Sequence, residues 1–569
     1  MQSREDRIRK IKENPNPSVL IVGSGINGIG TFRDLALQGI DVVMVDRGDY
    51  CSGASAASSH MVHGGIRYLE NGEFRLVKEA VEERNRLIVN APHLVKPLKT
   101  TIPIFKLFSG LMNAPLKFLG LLDRPAERGA VVIKIGMTMY DFFTRKQKTV
   151  PRHVFRNREE SLALFPALNP EVRYTGTYYD AAMPSPERIA IELIRDAVRE
   201  NDRAIPLNYV RLVSAQGEMV TLRDEERDES IDLMPSILVN AAGPWIDLVN
   251  QSIGYPTKFI GGTKGSHLIL DHPQLRQAIG ENEFFFENKD GRIVLIFPLF
   301  DKVMIGTSDI RIDSPDNIVI TEEEVDYFFE MIERVFPAIH VDRSHIVYTF
   351  SGVRPLQYSS AGMTGQISRE HKVEIIEPGS ELKIPVLSLV GGKWTSFRAF
   401  SEQVVDLVLD RLRIARKVST NDLPIGGGHD YPIGTRERDA YFGKLIAAYS
   451  IDRDRLLQLF DVYGTSVGGL LQEYGLEFST MLQMIPEMSV AEIRHILLEE
   501  DVIHLDDLIL RRTMLGKLGR ITPESLQEIS RICAEVLGWS AEKTSNEVDR
   551  FVDLLKRNHK MDFCSYIGE

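Results

Sequence analysis

The sequence predicts an α+β fold that continues into an all-helical carboxy-terminal region, and three observations support this prediction. Residues 19–46 follow the order strand, glycine turn, helix, strand. Residues 257–350 read as an antiparallel sheet, with turn residues between short apolar runs. Residues 435–569 carry amphipathic helical patterns and few strand signals. Because 569 residues exceed what one hydrophobic core can organise, we expect several domains.

The first unit contains a glycine turn directly after a buried strand. The apolar run Val19–Val22 has the length of a parallel strand and leads into Gly23-x-Gly25-x-x-Gly28. Gly23 permits a tight turn, Gly25 lets the backbone approach a pyrophosphate, and Gly28 lets the following helix pack against the strand. The phosphates then lie on free N–H groups at the positive end of the helix dipole.

An acidic residue completes this unit. The second apolar strand, Val42–Val45, ends at Asp46, 18 residues after Gly28. A carboxylate at this position accepts hydrogen bonds from an adenosine ribose. A glycine triplet alone is weak evidence, but strand, turn, helix, strand and acid occur here in order. The sequence therefore predicts dinucleotide binding.

Composition and charge exclude other classes of protein. The formal net charge of −12 argues against a nucleic-acid partner. The first 18 residues are charged and lack the apolar core of a signal peptide, and no apolar run is long enough to span a bilayer. Cys51, Cys533 and Cys564 are spaced for neither a disulfide framework nor a metal cluster, so we expect no metal and a reducing, cytoplasmic setting.

Residues 104–144 allow two interpretations. Large apolar residues surround Lys106, Lys117 and Lys134, which is typical of an amphipathic segment in a membrane interface. An ordinary pair of core-facing helices has the same composition. The residues alone leave both interpretations open.

Further segments combine glycine with hydroxyl or basic side chains: 54–70, 239–247, 263–270, 351–356 and 390–398. In the first, His63 can accept a proton near neutral pH, although a histidine satisfied by backbone hydrogen bonds has the same appearance. Lys264 and His267 flank a glycine in the third. Arg354 precedes a proline in the fourth, which favours an extended or turn conformation. The fifth repeats the order strand, glycine turn, helix, so its helix start can also face an anion.

These residues together resemble the FAD-dependent glycerol-3-phosphate dehydrogenases of the respiratory, quinone-linked kind. The resemblance covers about residues 17–420 strongly and the helical region more weakly. It is carried, in the family's order, by GSGINGIGTFRDLALQG, SSHMVHGGIRYLENGEFRLVKEA, NAAGPWID, KGSHLIL, IGTSDI, FSGVRPL and GGKWTSFR. In the helical region, the spacing from Glu500 to Arg511-Arg512-Thr513 is similar to that of the family's cap domain.

The resemblance implies an FAD domain of the glutathione-reductase type, interrupted by the antiparallel substrate sheet. We expect an extension at 1–16, FAD parts at about 17–100, 170–255 and 345–420, substrate parts at about 100–170 and 256–345, a glycine-rich linker at 423–434, and a cap at 426–569. The implied FAD-binding residues are Gly23, Gly25, Ile26, Asn27, Gly28, Asp46, Ser58, Ser59, Gly64, Gly65, Gly391, Gly392, Lys393 and Thr395.

The resemblance also implies a reaction. Arg67 and Arg354 would bind the substrate phosphate, with Tyr68 nearby. His63, Lys264, His267 and Lys393 would line the reacting end, with His63 as the first candidate for the base and His267 as the second. The implied reaction oxidises sn-glycerol 3-phosphate to dihydroxyacetone phosphate by hydride transfer to the flavin. Electrons would then pass to a quinone.

The quinone implies peripheral contact with the cytoplasmic face of the inner membrane, although a purely cytoplasmic location also fits the sequence. The resemblance is compatible with a homodimer but does not fix the oligomeric state. The chain departs from the family pattern at His60, where lysine is usual, and at Trp394 and Phe397. These departures leave open another polyol phosphate, such as a tetritol phosphate. The same fold also serves oxygen-using oxidases, amino-acid oxidases and, remotely, a non-catalytic binding protein.

Overall fold

The predicted α+β fold with a helical cap is confirmed in the computed structural model of the chain. The structure describes residues 2–66, 73–106, 129–144, 149–287, 293–358 and 371–561. Arg67, Tyr68, Cys564 and residues 107–128 of the apolar segment, on which predictions were made, lie outside these ranges.

One sheet carries the predicted dinucleotide unit. Its strands are β1 (Val19–Val22), β2 (Val42–Val45), β7 (Ala204–Leu207), β11 (Ile237–Asn240), β18 (Lys372–Ile376) and β19 (Val386–Val390). They lie in the order β18-β19-β11-β1-β2-β7, parallel except for the β18–β19 pair. Strands β1, β2, β7, β11 and β19 are buried along their whole length, as expected when both faces of a parallel sheet are covered.

A second, larger sheet is mostly antiparallel. Its strands are β3 (Met61–Val62), β4 (Lys96–Ile104), β5 (Val154–Asn157), β6 (Tyr174–Ala182), β12 (Thr263–Leu270), β13 (Asn282–Glu287), β14 (Ile293–Leu299), β15 (Lys302–Gly306), β16 (Ile310–Arg311) and β17 (Ile346–Arg354). Strand β12 pairs with β17 along one edge and with β15 and β16 along the other. The pair β13–β4 is parallel.

The division of the chain between the two sheets differs from the prediction. Strands β3 and β6, and also β17, were assigned to the FAD parts, yet all three belong to the larger sheet. The reason is that strand partners are non-local. An apolar pattern shows that a segment is a strand, but not which sheet it joins.

The described helices surround these sheets and form the cap. They are α1 (Arg4–Glu13), α2 (Ile26–Leu37), α3 (Phe74–Asn90), α4 (Ala130–Thr144), α5 (Arg158–Leu164), α6 (Pro186–Glu200), α7 (Ile246–Ser252), α8 (Pro273–Ile279), α9 (Glu322–Val335), α10 (Phe397–Leu412), α11 (Thr435–Tyr449), α12 (Arg453–Tyr463), α13 (Val467–Tyr474), α14 (Val490–Glu499), α15 (Pro523–Leu537) and α16 (Ala541–His559). A small sheet of β8 (Val210–Gln216), β9 (Met219–Asp224) and β10 (Glu229–Leu233) completes the fold.

The cap is packed against the larger sheet through an apolar core. Leu508 and Ile509 of the cap share a buried cluster with Leu295, Ile269 and Phe350 of that sheet. Burial of apolar area at this contact favours a fixed cap position.

The glycine-rich linker predicted at 423–434 is packed against its neighbours. Gly427 and Gly428 are buried, Gly426 N donates to Asp196 Oδ2 (3.2 Å), and Thr465 Oγ1 donates to the Gly427 carbonyl (3.0 Å). A Cβ on Gly427 would overlap the Tyr463 carbonyl. The glycines therefore serve close backbone packing rather than flexibility.

Helix α4 shows both characters predicted for the segment 104–144. On its inner face, Ile133, Met137 and Tyr140 are buried. On its outer face, Ile135 and Phe142 are 56% and 59% exposed. None of the helices within the described residues is long and apolar enough to cross a membrane.

The cap also contacts the small sheet through a charged histidine. His504 lies between two carboxylates, with Nδ1 2.9 Å from Glu547 Oε1 and Nε2 3.0 Å from Glu226 Oε1. Burial alone would lower its pKa, but the hydrogen bonds to Glu226 and Glu547 raise the pKa of His504 from 6.5 to about 9.

We expect His504 to make stability depend on pH. Because its folded pKa is raised, the contribution is complete below pH 6.5 and disappears as pH rises through about 9. The shift corresponds to about 3 kcal/mol at most. Thermal unfolding midpoints should therefore differ most between wild type and His504→Asn near pH 6 and converge above pH 9. His340→Asn, at an exposed histidine, is the control. A difference that does not change with pH would contradict the assignment.

Candidate active site

The first glycine turn is packed so closely that side chains are excluded. Gly23 N donates to the Val45 carbonyl (2.8 Å), and Gly23 has a φ of +108°. A Cβ on Gly23 would overlap the Ala241 backbone, and one on Gly28 would overlap the Gly23 carbonyl. The turn thus brings helix α2 directly against the ends of β1 and β11, as the spacing predicts.

The start of helix α2 meets the second glycine turn. Asn27 Nδ2 donates to the Gly391 carbonyl (3.2 Å), and a Cβ on Gly392, whose φ is +103°, would overlap the Asn27 amide. Asn27 Oδ1 is buried, and none of the described residues donates a hydrogen bond to it. An acceptor held in this way fits a bound group that brings its own donor. Ser55 Oγ accepts from Ile26 N (2.9 Å) beside it.

Asp46 is held facing the first turn. Its carboxylate accepts from Ser24 N (2.6 Å), Ser24 Oγ (2.9 Å) and Gly48 N (2.9 Å). Burial raises the pKa of Asp46 despite these hydrogen bonds. The position fits the predicted contact with an adenosine ribose.

The loop 54–66 is fastened at two points to the segment that follows the second glycine turn. Trp394 Nε1 donates to the Ser55 carbonyl (2.9 Å), and Thr395 Oγ1 donates to the His63 carbonyl (3.1 Å). Trp394 is therefore a buried link between the second glycine turn and this loop, not a side chain free to contact substrate. Gly65 follows with a φ of +72°.

A buried charged network behind Gly64 was not predicted from the sequence. Gly64 N donates to Asp180 Oδ1 (2.9 Å), and Arg84 Nη1 donates to the same oxygen (3.2 Å) and to Tyr140 Oη (2.7 Å). Tyr140 in turn hydrogen-bonds Asp180. Arg84 and Asp180 are almost fully buried, so the pair needs these partners to offset desolvation. The network could not be predicted because no spacing in the sequence indicates that α3, α4 and β6 are in contact.

His267 of β12 and Arg354 of β17 lie on the same face of this pair of strands. The guanidinium of Arg354 occupies the space that a Cβ on Gly265 would need, and the imidazole of His267 lies over Gly306. His267 is two residues from Gly265, so its side chain points to the same face. Its ring stacks on Phe350, with centroids 4.7 Å apart and an angle of 9°.

The arginine is oriented by the loop after β15. Arg354 Nη2 donates to Thr307 Oγ1 (2.6 Å) and to the Ser308 carbonyl (2.9 Å), and Nη1 lies 3.2 Å from Asp309 Oδ1. Thr307 and Asp309 belong to the segment IGTSDI, which carried the resemblance without an assigned role. The Arg354 side chain remains 25% exposed.

His267 is held as a neutral ring. Burial, and then the charge of Arg354, lower its pKa from 6.5 to about 3. Its Nε2 lies 2.9 Å from Ser59 Oγ, which joins the predicted FAD-side loop to β12. Ser58 Oγ accepts from His60 N (3.3 Å) within that loop.

Lys264, predicted beside His267 at the reacting end, lies on the opposite face of β12. Its Nζ is buried, 2.6 Å from Glu324 Oε2, and also donates to the Val319 carbonyl (2.9 Å). Alternate residues of a strand point to opposite faces, so Lys264 and His267 point apart. Ser266 Oγ, on the same face as Lys264, donates to Glu324 Oε1 (2.8 Å).

Two further predicted residues can be placed. Burial, and then the charge of the nearby Lys393, lower the pKa of His371 to about 4. His60 is fully buried, with its ring 5.9 Å from that of Phe350. His60 therefore lies beside the Phe350 ring on which His267 stacks.

Comparison with known proteins agrees with this geometry. A family model described as FAD dependent oxidoreductase matches residues 18–379, and one described as the C-terminal domain of alpha-glycerophosphate oxidase matches residues 418–544. A glycerol-3-phosphate dehydrogenase of Synechocystis sp. is 30% identical, and the alignment covers 97% of this chain and 98% of that protein. The chain belongs to the FAD-dependent glycerol-3-phosphate dehydrogenase family.

Other members show the same relation. A glycerol-3-phosphate dehydrogenase of Pseudomonas aeruginosa is 30% identical over 88% of this chain and 91% of its own length. The crystal structure of glycerol-3-phosphate dehydrogenase from Bacillus halodurans, complexed with FAD, has the same fold, with a TM-score of 0.74, 23% identity and coverage of 98% and 97%. The predicted family and the predicted cofactor, FAD, are confirmed. The protein is an FAD-dependent oxidoreductase.

We expect Gly25→Leu to give colourless protein. Gly25 has an ordinary φ of −70°, so leucine fits the backbone, but its side chain would fill the approach to the start of α2, where even a Cβ lies 3.3 Å from Ser55 Oγ. Visible absorbance after purification measures bound FAD, and thermal unfolding checks the fold. Gly443→Leu is the matched control, because a Cβ at that helical glycine meets nothing within 4 Å. A yellow Gly25→Leu protein would contradict the assignment.

Proposed function

We propose that this protein oxidises the C2 hydroxyl of sn-glycerol 3-phosphate to the ketone of dihydroxyacetone phosphate. The observation that carries the proposal is the placement of Arg354 of β17 and His267 of β12 on one face of the larger sheet, next to the FAD-side segment 54–66. A guanidinium binds phosphate with two parallel hydrogen bonds, and a neutral imidazole can take a hydroxyl proton. The names of the relatives support the same substrate.

The reaction needs a hydride acceptor and a proton acceptor. When bound, FAD accepts the hydride that leaves C2. In the proposal, the C2 hydroxyl proton moves to the Ser59–His267 pair as the C2–O bond becomes a carbonyl. The side chains proposed to hold FAD are those of the two glycine turns, Asp46 and the loop 54–66. Lys393, whose charge contributes to the low pKa of His371, supplies positive charge beside the second turn.

Substrate binding would itself activate His267. The charge of Arg354 is one of the two causes of its low pKa. A phosphate dianion on Arg354 cancels that charge, so the pKa of His267 rises and the imidazole becomes a better base. Only a substrate that carries an anionic group can produce this effect, which favours a polyol phosphate over a neutral polyol.

The contacts of His267 reverse the predicted order of the two histidines. His63 was the first candidate for the base, but the evidence for its role is its position in the loop and its carbonyl, which accepts from Thr395. His267 has a defined ring contact with Ser59 and a defined neighbour in Arg354. We therefore propose His267 as the base and retain His63 as the second candidate. Arg67 and Tyr68 keep their proposed role at the phosphate.

We propose a quinone as electron acceptor, reached by peripheral contact with the cytoplasmic face of the membrane. The exposed apolar residues Ile135 and Phe142 of α4 support such a contact. A relative from Staphylococcus aureus is named an aerobic glycerol-3-phosphate dehydrogenase, which agrees with respiratory use. The second candidate is an oxygen-using oxidase, favoured by the cap match to alpha-glycerophosphate oxidase.

The test of the proposed function is anaerobic stopped-flow reduction of the flavin. Glycerol 3-phosphate should bleach the visible flavin band, and erythritol and threitol phosphates should do so more slowly. The buried positions of His60 and Trp394 give no reason for a re-specialised pocket. Faster bleaching by a four-carbon phosphate would contradict this substrate choice. The rates at which a soluble quinone and dissolved oxygen reoxidise the reduced flavin are then compared. Faster reoxidation by the quinone indicates a dehydrogenase, and faster reoxidation by oxygen indicates an oxidase.

Arg354→Ala should weaken substrate binding while FAD is retained. It removes charge-assisted hydrogen bonds to phosphate, so we expect the KM for glycerol 3-phosphate to rise by about 10- to 100-fold. Steady-state kinetics measure the change, and flavin absorbance measures retention. Arg343→Ala is the control, because Arg343 is an exposed arginine paired with Glu322 and Asp326. An unchanged KM would rule out phosphate binding by Arg354.

A further inference from the structure

A buried charged cluster joins the cap to the loop that follows Asp46. Asp49, three residues after Asp46, has no exposed side-chain surface. Arg511 Nε lies 2.6 Å from Asp49 Oδ2, and Arg512 Nη1 and Nη2 lie 2.7 and 2.8 Å from its two oxygens. Asn208 Nδ2 donates to the same carboxylate (3.0 Å). Two cap arginines thus share one carboxylate of the FAD domain.

The same loop is tied to the first glycine turn on its other side. Cys51 N donates to the Ser24 carbonyl (2.9 Å), and Gly48 N donates to Asp46. Tyr50 Oη adds a second bond to the cap, at Asp501 Oδ2 (3.1 Å). Residues 46–51 therefore lie between the glycine turn and the cap, with hydrogen bonds in both directions.

The two arginines are themselves held in place. They end the π-helical turn Asp507–Arg512, and Arg512 also donates to the Glu500 carbonyl through Nε (3.0 Å) and Nη2 (2.9 Å). Arg511 pairs with Asp506 and Asp507. Successive residues of an α-helix do not share a face, whereas single π-helical turns are rare and frequently occur at functional sites. This turn presents consecutive arginines to one carboxylate.

The ion pairs of Asp49 with Arg511 and Arg512 hold the loop 46–51 in a fixed position. Burial alone would raise the pKa of the Asp49 carboxyl, but the charges of Arg512 and Arg511 hold it below its usual value. Removing one arginine takes away part of the positive charge that offsets this buried carboxylate, which favours movement of the loop towards water or another partner. Any such movement displaces Gly48 and Asp46, which share its backbone.

We propose that Arg511 and Arg512 of the cap are positioning residues for the adenosine half of FAD, acting through Asp49 on the loop that carries Asp46. Neither arginine contacts the cofactor in this proposal. The cap is then a part of the cofactor site, and cap docking and FAD binding favour each other. The proposal depends on FAD binding and on no assumption about substrate.

The test is binding of FAD and of ADP to apoprotein. Arg512→Met should weaken both by the same factor, about 10-fold or more, because ADP carries the adenosine half alone. Arg512→Lys keeps the charge but loses the two-pronged contact, so it should restore part of the affinity. Arg453→Met, at an exposed cap arginine paired with Asp439, should bind both ligands as wild type does.

Hydrogen exchange of the apoprotein separates positioning from general destabilisation. In Arg512→Met, exchange should accelerate in residues 23–51 but not in β12 or β15. If Arg512→Met does not fold, Asp49→Asn tests the same contact with a nearly unchanged shape. A folded Arg512→Met or Asp49→Asn protein whose FAD and ADP affinities stay within about twofold of wild type would overturn the proposal. So would weaker FAD binding with unchanged ADP binding.

Discussion

The contact between the start of helix α2 and the second glycine turn is the constraint on which the rest of the site depends. Asn27 and Gly391 are 364 residues apart, yet their backbones approach closely enough for a side-chain hydrogen bond across the gap. Glycine at position 392 is required there, because its φ is +103° and a Cβ would overlap Asn27. Trp394 and Thr395, which follow directly, then fix the loop 54–66. One close approach thus sets the positions of three loops.

The sequence predicted the parts of this arrangement that local rules determine. The strand–glycine–helix unit of 19–46 was found because turn geometry and helix packing need particular residues at particular spacings. The second turn, 390–398, obeys the same rules. Both predictions rest on backbone requirements that a single segment expresses.

What the sequence could not supply was strand register and long-range pairing. Lys264 and His267 occur in one short motif, and only the structure shows that strand β12 extends over both, so that they face opposite layers. Likewise, Arg84 of α3 and Asp180 of β6 support Gly64, and no spacing in the sequence predicts that these two elements are in contact. Composition predicted a linker at 423–434 but not its packing, because glycine permits both loose and very close packing.

The two faces of strand β12 differ in how their basic side chains are neutralised, and this difference affects the proposed chemistry. Lys264 is neutralised by Glu324, whereas Arg354 keeps part of its surface open beside a histidine that it helps to hold neutral. In the proposed mechanism, a phosphate bound to Arg354 would change the environment of His267 as well as anchor the substrate. In this account, the binding of the substrate phosphate to Arg354 also raises the pKa of His267, so substrate recognition favours proton removal.

The most direct test of this account is the limiting rate of anaerobic flavin reduction by saturating glycerol 3-phosphate in His267→Gln, compared with His63→Gln. Loss of a general base costs about 100-fold or more, so we predict a fall of that size for His267→Gln, with FAD content unchanged. His63→Gln should fall much less. A His267→Gln enzyme that is reduced at the wild-type rate would contradict the account, and a large loss confined to His63→Gln would return the role of base to His63.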